Sequence, residues 1–225
     1  MKLFISADIE GCVGTTLASE THKETPEYRQ FAKRMTEEVR IVCQAALEAG
    51  AGEIVVKDGH GDATNIDFTA MPEGVTLIRG KSGHPYNMMF GLDETFDGVL
   101  YVGYHAPAGN GGNPISHTST GNSNQILLNG KVMSEFMLNT YTAAMMGVPA
   151  VFISGDEGIC GLAREMVPGI TTAAVKKGMG ACTINMSVAA ADRLLKEKVK
   201  EALSGDLKAC RIAMPEQFEY VVNYK

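Results

Sequence analysis

Short apolar runs closed by polar turns recur along the chain, several of them followed by stretches with helical spacing. Leu3-Phe4-Ile5-Ser6-Ala7 predicts a buried strand that ends in the polar turn Asp8-Ile9-Glu10-Gly11. A long helix is predicted from Thr25 to Ala49, with Thr25 at the N-cap, Pro26 in the first helical position and Gly50 as the stop. Phe31, Met35, Val39, Val42 and Ala46 make its apolar stripe. Glu53 to Lys57 is a second strand and runs into Asp58-Gly59-His60-Gly61-Asp62. The resulting β–α–β unit implies parallel strands joined by a right-handed crossover.

Further strands are predicted at Thr76–Arg79 and Gly98–Tyr104, the latter ending at His105. After a glycine-rich loop, Gln125–Leu128 and Lys131–Met133 flank Asn129-Gly130 as a hairpin. A helix from about Ser134 to Gly147 follows, then a strand at Ala150–Ser154, a helix stopping at Pro168 and a strand at Thr171–Val175. Ser187–Leu203 reads as a packing helix with a solvated Lys/Glu face, and Phe218–Val222 alternates like a half-buried strand. The fold class is therefore α/β: a central, mostly parallel sheet flanked by helices, with a smaller hairpin-containing excursion at about 106–133. The expected organisation is a single domain over 1–225. The half-covered tail strand points to a missing C-terminal segment or a partner subunit.

Composition narrows the function classes. The 225 residues carry 20 Lys and Arg against 26 Asp and Glu, a net charge of -6 that argues against nucleic-acid binding. No run approaches the ~18–20 apolar residues of a membrane span, and the opening residues turn acidic too soon for a signal peptide. The five scattered cysteines argue against a disulfide framework and for a reducing cytoplasm. No CxxC pair, P-loop or Gly-x-Ser-x-Gly elbow is present, and Gly11-Cys12-Val13-Gly14 lacks the full dinucleotide fingerprint. Nearby carboxylates would raise the Cys12 pKa and disfavour thiolate chemistry.

Chemistry concentrates at strand ends. Asp8 and Glu10 follow the first strand, His60 the second and His105 the fourth, and in an open parallel sheet these ends share one edge, where ligands bind. Two carboxylates and two imidazoles suit zinc, manganese or iron, and Glu135 at the start of a helix could add a fifth ligand. Each residue alone has an ordinary reading as a turn, cap or surface group; four such placements together point to a metal. His117, on a loop after the glycine-rich segment, suits a general acid or base. His22 reads as a surface residue and His84 as a structural one. Free carboxylate near Asp62 or Asp156 is a candidate for holding a substrate ammonium group.

The segment Ser6-Ala7-Asp8-Ile9-Glu10-Gly11 resembles the Ser-x-Asp-x-Glu-Gly signature of the M55 zinc D-aminopeptidases. Asp58-Gly59-His60, Gly103-Tyr104-His105-Ala106, Ser116-His117-Thr118, the stretch from Asn129-Gly130 through Glu135 to Asn139 and Tyr141, Gly155-Asp156 and Thr171 to Lys176 resemble further family motifs in order. Ser134 departs from the glycine the family often has there, and the loop 106–124 differs in detail. The resemblance implies that Asp8, Glu10, His60, His105 and Glu135 bind two zinc ions per subunit, with Asp8 as the bridge, and that His117 is catalytic. It also implies a ring-like homodecamer with an internal chamber. The expected activity is hydrolysis of short peptides with a free N-terminus, preferably D-residues, by a water activated between two metals. Another dinuclear metallohydrolase, such as an amidase or phosphoesterase, and a peptide-binding protein with a structural metal are the alternatives.

Overall fold

A computed structural model describes residues 1–225. The main sheet contains β1 (Lys2–Ala7), β2 (Glu53–Asp58), β3 (Val75–Ile78), β4 (Gly98–Tyr104), β7 (Ala150–Asp156), β8 (Thr171–Met179) and β9 (Cys182–Asn185), in the order β3-β2-β1-β4-β7-β8-β9. All pairings are parallel except that of β9 on β8. β1, β4 and β7 are almost continuous apolar runs because both faces of the sheet are covered. Helices α1 (Tyr28–Glu48) and α4 (Val188–Ser204) pack together on one face; α2 (Glu135–Met145) and α3 (Glu157–Met166) pack together on the other. Phe4, Ile5, Tyr101 and Phe152 lie fully buried between the layers.

The chain leaves β1 toward β2 and β3, then returns and runs the other way from β4 through β7 and β8. The strand order therefore reverses between β1 and β4. In a doubly wound sheet such a reversal opens a crevice at the carboxyl ends of the two strands. Asp8 and Glu10 follow one of these strands and His105 the other.

The excursion forms its own three-stranded antiparallel sheet, β10-β5-β6, from β5 (Ser123–Leu128), β6 (Lys131–Val132) and β10 (Tyr220–Tyr224). Asn129 and Gly130 both have positive φ, 50° and 74°, as a two-residue hairpin turn of this hand requires. Val222 of β10 packs against the small cluster of Ile126, Leu128 and Met133, while Tyr220 and Tyr224 stay exposed.

Three local expectations need correction. α1 begins at Tyr28 rather than near Thr25, because the Thr25 hydroxyl donates back to the His22 carbonyl at 2.6 Å and closes a turn instead of capping the helix. β8 extends to Met179 and turns through Gly180 into β9, a strand that the sequence pattern did not reveal. The tail strand is shifted to residues 220–224 by its register on β5. In the apolar stripe of α1, Met35, Val39, Val42 and Ala46 are fully buried, and Phe31 is partly buried against the same core.

Candidate metal centre

The turn after β1 is held from the neighbouring strand. The Asp8 amide donates to Val102 O and the Gly11 amide to Gly103 O, each at 2.8 Å. This approach requires glycine at both places. A Cβ on Gly11 would sit 1.8 Å from Tyr104 O, and Gly103 has φ +71° with Asp8 O 2.3 Å from where its Cβ would be. The turn thus aims Asp8 and Glu10 across the crevice, and both side chains are buried.

His60, carried by the loop after β2, reaches the same place. Its Nδ1 lies 3.3 Å from Asp8 Oδ1 and 3.1 Å from Glu10 Oε1. His105 Nε2 lies 3.6 Å from Asp8 Oδ2 and 3.9 Å from Glu135 Oε2. His117 Nε2 lies 3.8 Å from Glu135 Oε1. Asp8 therefore offers opposite oxygens to two imidazoles, and Glu135 offers opposite oxygens to two imidazoles. Glu135 opens α2, whose Ser134 N-cap accepts from Met137 N at 3.0 Å, and its Oε1 also accepts from Ser119 N at 2.7 Å.

Each imidazole has one nitrogen tied to a main-chain carbonyl. His60 Nε2 faces Thr21 O at 2.9 Å, His105 Nδ1 faces Ala106 O at 2.9 Å and His117 Nδ1 faces Ile115 O at 3.0 Å. A carbonyl can only accept, so these nitrogens carry a proton, and the opposite ones, directed at the carboxylates, are the positions that a metal or a second proton takes.

These groups suit a divalent metal. Buried polar atoms are ordinarily hydrogen-bonded, yet Glu10 Oε2 and His105 Nε2 are buried with no partner. The 3.6–3.9 Å separations around His105 and Glu135 exceed hydrogen-bond length. Ligand atoms at about 2.0–2.2 Å from one tetrahedral zinc stand roughly 3.3–3.6 Å apart. Asp8, Glu10 and His105 form one compact donor group; His105, His117 and Glu135 form a second. His117 thus stands nearer the donor set than its loop position suggested.

The electrostatics without metal are lopsided. Burial and the charge of Glu10 push the Asp8 carboxyl up, while the Glu10 carboxyl, buried as well, is held well below its usual range by His60 and His105. Burial alone would lower the His60 pKa, but Glu10 and Asp8 overcome it and hold the imidazole at about 11. His105 behaves likewise: Glu135, Glu10 and Asp8 outweigh burial and raise it to about 9. The pocket thus holds protons where a cation would otherwise balance its carboxylates.

Beyond these groups the crevice widens into a cavity of about 630 Å³ with Lys23, Asp62, Lys81 and Ser116 on its walls. His22 is exposed at this wall, while His84 lies outside it with its ring against Tyr86. Neither acid suggested for a substrate ammonium is free. Asp62 is paired with Lys23 at 2.7 Å. Asp156 is fully buried, caps α3 through Ile159 N and accepts from Ala106 N and Asn113 Nδ2. Cys12 is buried, and burial and Glu38 push its thiol pKa well up, which disfavours a nucleophilic role. Sequence reading passed over Asn113 and Lys176, two buried side chains that touch the Glu10 main chain. No spacing rule singles out a lone lysine within a strand.

The chain has recognisable relatives. The M55 peptidase family model, described as D-aminopeptidase, matches residues 1–225. A D-aminopeptidase of Bacillus subtilis is 33% identical over 218 residues, covering 96% of this chain and 79% of that protein. The solved structure of the Zn-dependent D-aminopeptidase DppA from Bacillus subtilis, described as a self-compartmentalizing protease, superposes with a TM-score of 0.94 at 31% identity, covering all of this chain and 81% of the other. A match of this extent, over a crevice whose orphaned donors suit a metal, places the chain in the M55 family of D-aminopeptidases and makes it a metallo-aminopeptidase.

Proposed function

We propose that the protein removes N-terminal residues, preferably D-residues, from short peptides, with two zinc ions per subunit held by Asp8, Glu10, His60, His105 and Glu135. The observation that carries this reading is the pair of buried, unpartnered donors, Glu10 Oε2 and His105 Nε2, within one carboxylate–imidazole cluster. Asp8, with one oxygen toward His60 and the other toward His105, has the placement of a bridge. When bound, the zinc pair supplies Lewis acidity and a water of lowered pKa. The zinc dependence of the solved DppA supports the choice of metal, and the D-aminopeptidase activity named for both relatives supports the substrate handedness.

His117 does the proton work. It is partly exposed to the cavity, and its tethered Nδ1 leaves Nε2 free to accept. Nε2 takes a proton from the attacking water and delivers it to the departing amine nitrogen as the C–N bond breaks. A homo-oligomer, a decamer by family likeness, belongs to the same proposal. It is supported by the self-compartmentalizing relative and by exposed Met179, Ile184, Tyr220 and Tyr224, which a neighbouring subunit could cover. A cytoplasmic location is likewise proposed, from the cysteine usage.

The test is a panel of D- and L-dipeptides, amides and phosphate esters, run with zinc-loaded, chelator-stripped and reloaded protein. D-dipeptides should be cleaved fastest, and only with zinc. Equal D and L rates would remove the stereochemical preference, and undiminished cleavage after complete stripping would remove the metal. Elemental analysis near one zinc per subunit would remove the dinuclear site.

A further inference from the structure

Lys176 is a buried lysine on β8 with no carboxylate in direct contact. Its ammonium group donates to two main-chain carbonyls, Glu10 O and Thr15 O, which bracket the turn and loop after β1. Taking a long charged side chain out of water for two carbonyls is expensive unless the placement serves another purpose. The Glu10 carbonyl has a second donor, Asn113 Nδ2, at 3.1 Å. The same amide nitrogen lies 3.1 Å from Asp156 Oδ2, and that oxygen accepts from Ala106 N at 2.8 Å. Asn113 Oδ1 in turn accepts from Ile115 N at 3.1 Å, in the loop whose Ile115 carbonyl tethers His117.

These bonds tie the loop after β1, which carries Glu10, to the single loop between β4 and β5, which begins at His105 and carries His117, and anchor that loop on Asp156 at the end of β7. The Glu10 peptide is fixed on its carbonyl side by Lys176 and Asn113 and on its following amide by Gly103 O. The side chain that leaves this peptide ends in the orphaned Oε2.

We propose that Lys176 and Asn113 are positioning residues: by gripping the Glu10 carbonyl they set the Glu10 carboxylate in its metal-facing pose, and Asn113, which also donates to Asp156, holds the loop of His105 and His117 in register with it. The inference rests on Glu10 being a zinc ligand. Outer-shell partners of metal ligands typically contribute about 10- to 100-fold in metal affinity or activity.

The test is a zinc-affinity cycle by competition with a chromophoric chelator, on protein whose folding is checked by circular dichroism. The variants are Lys176→Met, Asn113→Ala, Glu10→Ala and each of the first two combined with Glu10→Ala. Lys176→Met and Asn113→Ala should each weaken zinc binding about 10- to 100-fold while the protein stays folded. In the Glu10→Ala background Lys176→Met should cost little more, because the group it positions is gone, and Asn113→Ala should cost less than in the Glu10-containing protein, keeping only its share through the His105 loop. An equal loss in both backgrounds, or no loss in the Glu10-containing protein, overturns the proposal. Should Lys176→Met fail to fold, Asn113→Ala alone carries the cycle, since it deletes one donor to the same carbonyl. Wild-type zinc binding by Glu10→Ala would instead remove Glu10 from the ligand set, a separate failure that the single variant reports by itself.

Discussion

His105 and His117 stack, their ring centroids 4.5 Å apart and their planes inclined by 24°. Both present Nε2 to Glu135, His105 to one oxygen and His117 to the other. His105 is buried and His117 is partly exposed. The stack thus runs from the closed floor of the crevice to its open side, where a substrate arrives. On the proposed function, the buried ring holds a metal and the outer ring exchanges a proton.

Replacement of His117 by Ala separates those roles. Turnover should fall about 10²- to 10⁴-fold, the usual contribution of a general acid–base group, with zinc content by elemental analysis unchanged. Loss of a zinc ion from His117→Ala would make this residue a ligand, and full turnover would place the proton carrier elsewhere.

Asp8→Asn should have a broader effect. The carboxylate stands between His60 and His105, one oxygen toward each. An amide keeps the shape but loses the charge and one lone-pair oxygen. Zinc affinity should drop at both positions together, read as loss of both ions on dialysis. Retention of both would deny Asp8 a bridging place.

The protons held by the metal-free pocket give a pH signature. The folded-state values of His60, about 11, and His105, about 9, lie above the ordinary histidine value of 6.5, and Asp8 is raised as well. The folded, metal-free protein therefore binds more protons than the unfolded chain above pH 6.5. The stability contributed by the two imidazoles is complete below that pH and is lost as pH rises through about 9 and then about 11. Glu10, whose pKa is lowered, acts in the acidic range and contributes a constant amount across this window. The Tm of stripped protein should fall from pH 6.5 to 9. Zinc loading must displace these protons, so zinc affinity should rise over the same interval. Titration calorimetry in buffers of different ionisation enthalpy should show protons released on loading; an absence of release would contradict the protonated pocket.

Gly11→Ala tests the backbone contact that aims the acidic pair. The added methyl would meet Tyr104 O, a main-chain atom with no freedom to swing away. Overpacking commonly costs about 1–3 kcal/mol, and a collision this close belongs at the upper end. For a chain of this size, about 3 kcal/mol corresponds to a Tm lowered by roughly 6–12 °C. An unchanged melting curve would mean that β1 and β4 can separate locally without penalty.

Much of the site could be read from the sequence because parallel-sheet geometry converts position along the chain into position in space. Asp8, His60 and His105 each end an apolar run, and such ends must share an edge. The Asn129-Gly130 turn was legible for a different reason: few residue pairs accept two consecutive positive φ values. What escaped depended on tertiary partners. Thr25 and Pro26 carry the marks of a helix start, yet a nearby carbonyl captures the threonine hydroxyl. β9 has little apolar character and exists as an edge strand on β8. Asp156 looked like a free acid and proved to be a buried cap, because two donors from the loop after β4 and one from the first turn of α3 converge on it.

The carbonyl tethers on His60, His105 and His117 also bear on how the protein can change. In many metalloproteins the far side of a ligating imidazole is held by a carboxylate, which a single codon change can delete. In this protein the hold is written into the peptide chain, so no side-chain mutation at Thr21, Ala106 or Ile115 removes it directly. Lineages are left free to vary Thr21 and Ile115, which line the crevice, for its shape and polarity while the tethered nitrogen of each ring is inherited intact.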